Sequence, residues 1–355
     1  MLTSLRFKNW RSLRDVEIND LTPITVFVGA NSSGKTNIFD GLRFMRSALE
    51  RNWVEAAFLQ GGVDNIYTLN TTTGLPIRLE FDTSGLTGTE PIVEDIHFKV
   101  IVGITPPIDR GYYGTRPFSE DEPARIFSRR WQILDEDFLP PISIPANEIE
   151  DQSLRLIDRK ARNVPIMLDF MRQFRPEVFA KLLEDLSWLL EHVSRLQTVA
   201  DDRETRFSIY EKHLPEIEAP TISGGTARAI AMLTAMHALN AFDPELPGLV
   251  AIEEPDTAIH PLLFWKLVEI FRYYVDVDEN GVYEGDGTNR RQIFLTTHNP
   301  NLLNRFNPRE VRVVERNEQG FTTVKPVSEE IAKIWMDKYG LGEAWLTRTL
   351  GGVPD

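Results

Sequence analysis

Apolar residues alternate with polar ones at Leu5 and Phe7, and again at Val16 and Ile18, on either side of Arg11-Ser12-Leu13. A period of two predicts two paired strands, each with one buried face. Ile24-Thr25-Val26-Phe27-Val28 is apolar almost throughout, the pattern of a strand covered on both faces. It runs into Gly29, after which Ile38, Leu42, Met45 and Leu49 recur at helical spacing. Between residues 66 and 105, LPIRLEF and IHFKVIVGI read as strands, and TPPIDRGYYGTRP after them reads as loop. Residues 150–198 are expected to be helical. Their apolar stripe runs through Val178, Phe179, Leu182, Leu183, Leu186, Leu189, Leu190 and Val193, with Pro176 near a helix start. Short strands are expected at 196–199 and 206–210. Two more, Leu249-Val250-Ala251-Ile252 and Ile293-Phe294-Leu295, end in polar tails, and DVDENGVYEGDGTNRRQ between them reads as an exposed acidic loop. The sequence contains no internal repeat and no heptad run long enough for a coiled-coil arm.

Composition narrows the function classes. The 355 residues, 42% hydrophobic and 26% charged, match a soluble globular protein with one large core and something inserted in it. No apolar run approaches the roughly eighteen residues of a membrane span, and MLTSLRFKNWRS has no signal-peptide core, so a cytoplasmic protein without membrane contact is expected. The absence of cysteine excludes disulfides, thiolate zinc sites, iron–sulfur clusters and cysteine nucleophiles. With 53 acidic and 39 basic residues, a net charge of -14 argues against a surface that coats nucleic acid uniformly.

The chemistry sits where strands end. Gly29-Ala30-Asn31-Ser32-Ser33-Gly34-Lys35-Thr36-Asn37 contains G-x-x-x-x-G-K-[ST] between a predicted strand and helix. Its glycines let backbone N–H groups converge on phosphate, Lys35 is expected to reach the β- and γ-phosphates, and Thr36 to offer its hydroxyl to Mg2+. An acidic partner is then needed. Glu253-Glu254-Pro255 supplies it: Glu253 for the magnesium shell, Glu254 to polarise the attacking water. Ser223-Gly224-Gly225-Thr226 before an apolar helix is either a serine cap or a second anion site, serving a nucleotide bound on another subunit. His298 follows the third buried strand, where an imidazole can touch a γ-phosphate.

The order of these motifs resembles the ABC-type ATPase head shared by transporter nucleotide-binding domains, SMC-type and RecF-like proteins and OLD-family ATPases. Phe7-Lys8-Asn9-Trp10-Arg11-Ser12-Leu13, Asn31 and EEPDTAIHP resemble the RecF/SMC/OLD-like group. Within it the chain is similar to stand-alone bacterial AAA-family (AAA_21-like) predicted ATPases, whose ends resemble LGEAW at 341–345 and LGGVP at 350–354. The resemblance implies an α/β P-loop NTPase fold with an antiparallel β subdomain and a helical insertion. It implies an N-terminal ATPase lobe at 1–125, a mainly helical insertion at 126–198 and a C-terminal lobe at 199–355. It further implies ATP and Mg2+ as cofactors, and a homodimer closing around ATP with Ser223, Gly224 and Gly225 acting in trans. Arg11 would contact nucleotide and Gln60 would join the metal shell. Three departures stand out: Glu253-Glu254 in place of Asp-Glu, Thr226 in the signature, and His260 where the dimer-facing loop usually has aspartate.

Two roles remain open. Only 57 residues follow His298 and they hold no DxD pair, so no built-in nuclease is expected. The chain is then either the ATPase regulator of a separate nuclease or Toprim-like effector, as in anti-phage systems, or a nucleotide-dependent scaffold that hydrolyses ATP slowly without DNA contact. Arg155, Arg159, Lys160, Arg162, Arg172 and Arg175 against Asp158 and Asp169 form a local excess of basic charge that favours the first.

Overall fold

The computed structural model describes residues 1–51, 53–62, 65–68, 77–86, 94–102, 123–141, 143–145, 156–212, 216–218, 222–242, 244, 246–282, 291–328, 330, 332–333 and 339–353. At its centre is a six-stranded sheet. β3 (Ile24–Val28), β11 (Gly248–Glu253), β12 (Arg291–Thr297), β6 (Trp131–Leu134), β13 (Val311–Arg316) and β14 (Thr322–Pro326) lie in the order β14-β13-β3-β12-β11-β6. All neighbours run parallel except β13 and β14. Every residue of β3 and β11 is buried, which is why these segments read as continuous apolar runs.

Successive side chains of these strands enter two separate cores. Ile24, Val26, Val28, Val250, Ile252, Ile293 and Leu295 face α4 (Val164–Phe174), α5 (Pro176–Leu189), α6 (Gly224–Phe242) and α7 (Phe264–Val275). Phe27, Leu249, Ala251 and Phe294 face the other way, toward α1 (Lys35–Glu50), α2 (Trp53–Leu59) and α3 (Pro123–Ser128). Phe27 sets its ring edge-on to both Phe39 of α1 and Phe294 of β12, which locks the helix after the glycine loop to the sheet. A second, antiparallel sheet closes this side. It joins β1 (Leu2–Trp10), β2 (Leu13–Ile18), β4 (Ile77–Leu86) and β5 (Glu94–Val102) in the order β2-β1-β4-β5. A third sheet holds β7 (Ser143–Pro145), β8 (Val193–Ala200), β9 (Glu204–Glu211) and β10 (Glu216–Glu218), with β7, β8 and β10 each paired to β9. The short helix α8 (Pro300–Leu303) follows β12.

Two strand pairings cross the expected boundaries at 126 and 198. β6 belongs to the central sheet, beside β11, and β8 runs across residue 198 to pair with β9. Parallel partners 118 residues apart, such as Trp131 and Leu249, leave no local signature, and the long helices between 126 and 198 are α4 and α5. Arg155 and residues 283–290 of the acidic loop at 276–292 lie outside the described residues.

Candidate functional site

The C-terminal ends of β3, β11 and β12 open on one cavity of about 660 Å³, lined by Asn31, Ser32, Gly34, Lys35, Thr36, Asn37, Glu136, Glu253, Glu254, Thr257, Thr296, His298 and Arg316. A crevice at the carboxyl ends of parallel strands is where α/β sheets bind ligands. The loop from Gly29 turns through left-handed backbone at Ser32 (φ 64°) and Gly34 (φ 112°) before α1 begins. Gly34 needs to be glycine twice over: its φ disfavours a side chain, and a Cβ would stand 2.1 Å from Thr322 Oγ1. That hydroxyl donates to Ser33 O at 2.7 Å and lies 2.7 Å from Ser12 Oγ, which accepts from Asn37 Nδ2 at 2.6 Å. Arg316 Nε donates to Ser32 O at 2.9 Å, and Ala30 N donates to Gly352 O at 2.6 Å. Residues 12, 316, 322 and 352 therefore hold the loop from outside.

Lys35 Nζ donates to Gly29 O at 2.7 Å and Ala30 O at 2.9 Å. Burial pushes its ammonium below the ordinary lysine value, against the pull of Glu254, Glu253 and Glu136. Glu253 closes β11 in a buried position that pushes its carboxyl up, while Arg43 and the Thr36 hydroxyl hydrogen-bond to it and oppose that shift. Glu254 has left-handed backbone (φ 49°), a conformation uncommon outside glycine. Its N–H is shared between Thr296 O (3.1 Å) and Thr296 Oγ1 (3.2 Å). Its Oε1 lies 2.8 Å from His298 Nδ1, whose ring is half-exposed.

Ser223 and Gly224 are exposed and stand away from the cavity, with Ser223 Oγ accepting from Thr226 N at 3.1 Å as a helix cap. Gly225 approaches the next loop so closely that a Cβ would meet Ala258 O at 2.3 Å. Arg228, one turn on, donates to Glu254 O (2.9 Å), Glu136 O (2.8 Å) and Phe138 O (3.0 Å), so the helix start is tied to the loop that carries Glu254. His260 is exposed and its Nδ1 accepts from Leu262 N at 3.2 Å, closing a short turn.

Two expected site residues fall elsewhere. Gln60 accepts from Arg11 Nη2 at 2.8 Å and does not line the cavity. Arg11 also pairs with Asp40 and reaches the cavity only through Asn37 Oδ1, at 3.5 Å. Conversely, Glu136, Thr257, Thr296 and Arg316 line it although none was named as a site residue from the sequence; Thr257 lies within the EEPDTAIHP run and Thr296 two residues before His298. Asp135-Glu136 follows the strand Trp131-Gln132-Ile133-Leu134 as Glu253-Glu254 follows Leu249–Ile252, so the same strand-then-acid signal could have found Glu136. Arg316 carries no such mark.

Among the described residues no three His, Asp or Glu side chains converge as an all-protein metal cage. The donor set of one hydroxyl and one or two carboxylates nevertheless fits Mg2+, which takes oxygen ligands and completes its shell with phosphate and water. Ser33 Oγ is buried without a partner inside the loop, as a phosphate cradle requires. A buried ammonium, a hydroxyl beside a buried carboxylate and a second carboxylate steadied by imidazole can together hold a polyphosphate with a divalent cation and offer a base to water.

A family model described as "AAA domain, putative AbiEii toxin, Type IV TA system" matches residues 110–304, and one described as "AAA ATPase domain" matches residues 1–101. Among solved structures, the chain is similar to the Smc head bound to the C-winged helix domain of ScpA, at 15% identity and a TM-score of 0.62, with 93% of this chain and 98% of that one covered. It is also similar to the Smc head with an extended coiled coil bound to the C-terminal domain of ScpA from Pyrococcus furiosus, at 12% identity, TM-score 0.58, and 95% and 98% coverage. These likenesses show the P-loop ABC-like ATPase-head fold. No curated protein sequence matches the chain.

Proposed function

The chain belongs to the AAA-domain ATPase family whose model spans residues 110–304, more than half its length, and on that premise we propose that it binds ATP with Mg2+ in the cavity over the Gly29–Thr36 loop and hydrolyses it. The observation that carries this reading is the convergence of Lys35, Thr36, Glu253, Glu254 and His298 on one cavity from three parallel strands.

Each residue then has a task its surroundings suit. Lys35 exchanges the carbonyls of Gly29 and Ala30 for β- and γ-phosphate oxygens, and the N–H groups at the start of α1 face the same anion. Thr36 and Glu253 hold the magnesium ion, which supplies neutralisation of phosphate charge when bound. Glu254 takes the proton of the attacking water as its oxygen bonds to the γ-phosphorus, and the bond to the β–γ bridging oxygen breaks to leave ADP and phosphate. His298 keeps Glu254 oriented and faces the γ-phosphate. Asn31, Ser32, Gly34 and Asn37 complete the wall around the phosphates.

Exposure of Ser223 and Gly224 away from this cavity supports a homodimer in which each chain's Ser223–Gly225 turn completes the other's ATP site about a two-fold axis. Such a dimer, closed by ATP and opened by hydrolysis, regulates a separate nucleic-acid-acting effector, in a bacterial defence setting and in the cytoplasm. Two features support a partner of this kind. The family description names a Type IV TA system, and the similar Smc heads are bound to parts of ScpA. A second reading, a slow ATPase scaffold without DNA contact, is favoured by one observation. Arg159 and Lys160 pair with Asp135, Lys160 also with Asp137, Arg162 with Asp158, Arg172 with Asp169 and Arg175 with Glu177, so the described basic cluster is neutralised within the chain. No helix among the described residues is long and apolar enough to cross a membrane.

Phosphate release from Mg2+-ATP and equilibrium ATP binding, measured together on the wild type and Glu254→Gln, test the core of this reading. Release by the wild type and retained binding without release by the variant are expected. Absence of ATP binding in both would overturn it.

A further inference from the structure

Arg43 is buried on α1, about two turns beyond Lys35, and the hydrolysis scheme above does not use it. Its Nη1 donates to Asp40 Oδ1 at 2.8 Å. Its Nη2 donates to Glu253 Oε1 at 2.8 Å and lies 2.6 Å from Asp135 Oδ1, an ion contact rather than an aligned hydrogen bond. One guanidinium thus serves three carboxylates, only one of which lines the cavity. The other two anchor it from behind. Asp40 is itself paired with Arg11, and Asp135 with Arg159 at 3.3 Å and Lys160 at 3.8 Å. Glu253 is gripped by Arg43 and lines the same cavity as Thr36.

We propose that Arg43 is a positioning residue for magnesium: by occupying Glu253 Oε1 with a guanidinium anchored on Asp40 and Asp135, it holds the carboxylate toward Thr36 and sets the affinity of the nucleotide site for Mg2+. The inference rests on the nucleotide reading above. The physical case is that a glutamate at a strand end has three rotatable side-chain bonds, whereas a planar fork that is itself held at both prongs leaves it one orientation. Partners that orient a metal ligand set the metal's affinity even though they never touch the ion. Lysine keeps the charge but is a single point with rotating donors. It cannot bridge Glu253 to Asp40 and Asp135 in one fixed geometry.

The test is ATP affinity by calorimetry on the full chain, in EDTA and across a series of MgCl2 concentrations. Arg43→Lys is expected to match the wild type in EDTA within about twofold and to need about tenfold more Mg2+ for half-maximal tightening of ATP binding. Asp135→Asn leaves Glu253, Thr36 and Arg43 in place and removes one rear anchor, so the shift should have the same direction and be smaller. Circular dichroism and thermal melts establish folding. Folded variants with the wild-type Mg2+ dependence overturn the inference. Should Arg43→Lys fail to fold, Asp135→Asn decides alone, and an unshifted Mg2+ dependence overturns it. A wild type that binds no ATP overturns the nucleotide reading and this inference with it. A wild type that binds Mg2+-ATP tightly beside unshifted variants overturns only the role of Arg43.

Discussion

The two glycine-containing turns of this protein, Gly29–Thr36 and Ser223–Gly225, look alike as sequence and differ in what holds them. The first is clasped by parts of the chain that are hundreds of residues away: Thr322 on Ser33, Arg316 on Ser32, Gly352 on Ala30. It shapes a cavity already furnished with an ammonium, a hydroxyl and carboxylates. The second rests on its own serine cap and on one close approach to Ala258, and it presents Ser223 and Gly224 to solvent. A phosphate cradle needs its N–H groups fixed before the ligand arrives, because ordering them afterwards costs binding energy. The first turn meets that condition within one chain. The second is tied inward instead, through Arg228 to the backbone of Glu254 and Glu136.

The sharpest way to separate the two turns is to remove chemistry from one while leaving both shapes intact. Glu254→Gln should lower turnover by about a thousandfold, since general-base contributions run to roughly 10²–10⁴, with ATP affinity preserved. Because the trapped nucleotide stabilises whatever state binds it, sedimentation of this variant with ATP should show a dimer that the wild type forms only transiently. Normal turnover would place the base elsewhere. Next in size, Lys35→Ala should weaken ATP binding by about a hundredfold or more, as expected when a buried site gives up a charge-assisted hydrogen bond, while the thermal melt stays near wild type. Equilibrium dialysis is the check, and undiminished affinity would break the assignment of the first turn.

Ser223→Arg addresses the second turn. Binding to the isolated chain should persist and hydrolysis should fall by about tenfold or more, because the affected nucleotide sits on the other subunit. Mixing this variant with Lys35→Ala restores one good pairing, the intact Ser223 of one chain against the intact Lys35 of the other, so part of the activity should return. A demonstrated heterodimer without recovery would make the two turns independent. The smallest effect is expected from reversing Arg159, Lys160 and Arg162 to glutamate. Basal ATPase should change by no more than about twofold, as Arg159 and Arg162 are exposed, Lys160 is partly so, and surface ion pairs contribute roughly 0–1 kcal/mol. If DNA stimulates the wild-type ATPase and the triple variant loses that stimulation, the regulator reading gains. If neither responds to DNA, the scaffold reading does.

How far the site was legible follows from how local its determinants are. Lys35, Thr36, Glu253, Glu254 and His298 each follow closely on a buried strand, and a run of four or five apolar residues announces such a strand without any alignment. Glu136 obeys the same rule after Trp131–Leu134, but that strand is only four residues long, has Gln132 inside it and lies in a segment that the family resemblance marked as mainly helical, which hides the signal. Gln60 lies off the cavity for the opposite reason. A glutamine beside two glycines has no local constraint on where it points, and Arg11, positioned by the turn between β1 and β2, captured it.

What the amino-acid sequence by itself determined is the alternation of buried strand and helix, the phosphate loop, the acidic strand ends and their order, because period, propensity and turn chemistry act over a few residues. Only the tertiary structure decided that Trp131–Leu134 joins the central sheet beside β11, that Thr322, Arg316 and Gly352 clasp the loop at Gly29, and that Arg43 stands between Asp40, Asp135 and Glu253. Those pairings join residues as far as 322 positions apart, Ala30 and Gly352 at the extreme. The free energy of such a pairing depends on which groups the folded core brings within reach and removes from water, and nothing in the neighbouring sequence encodes it.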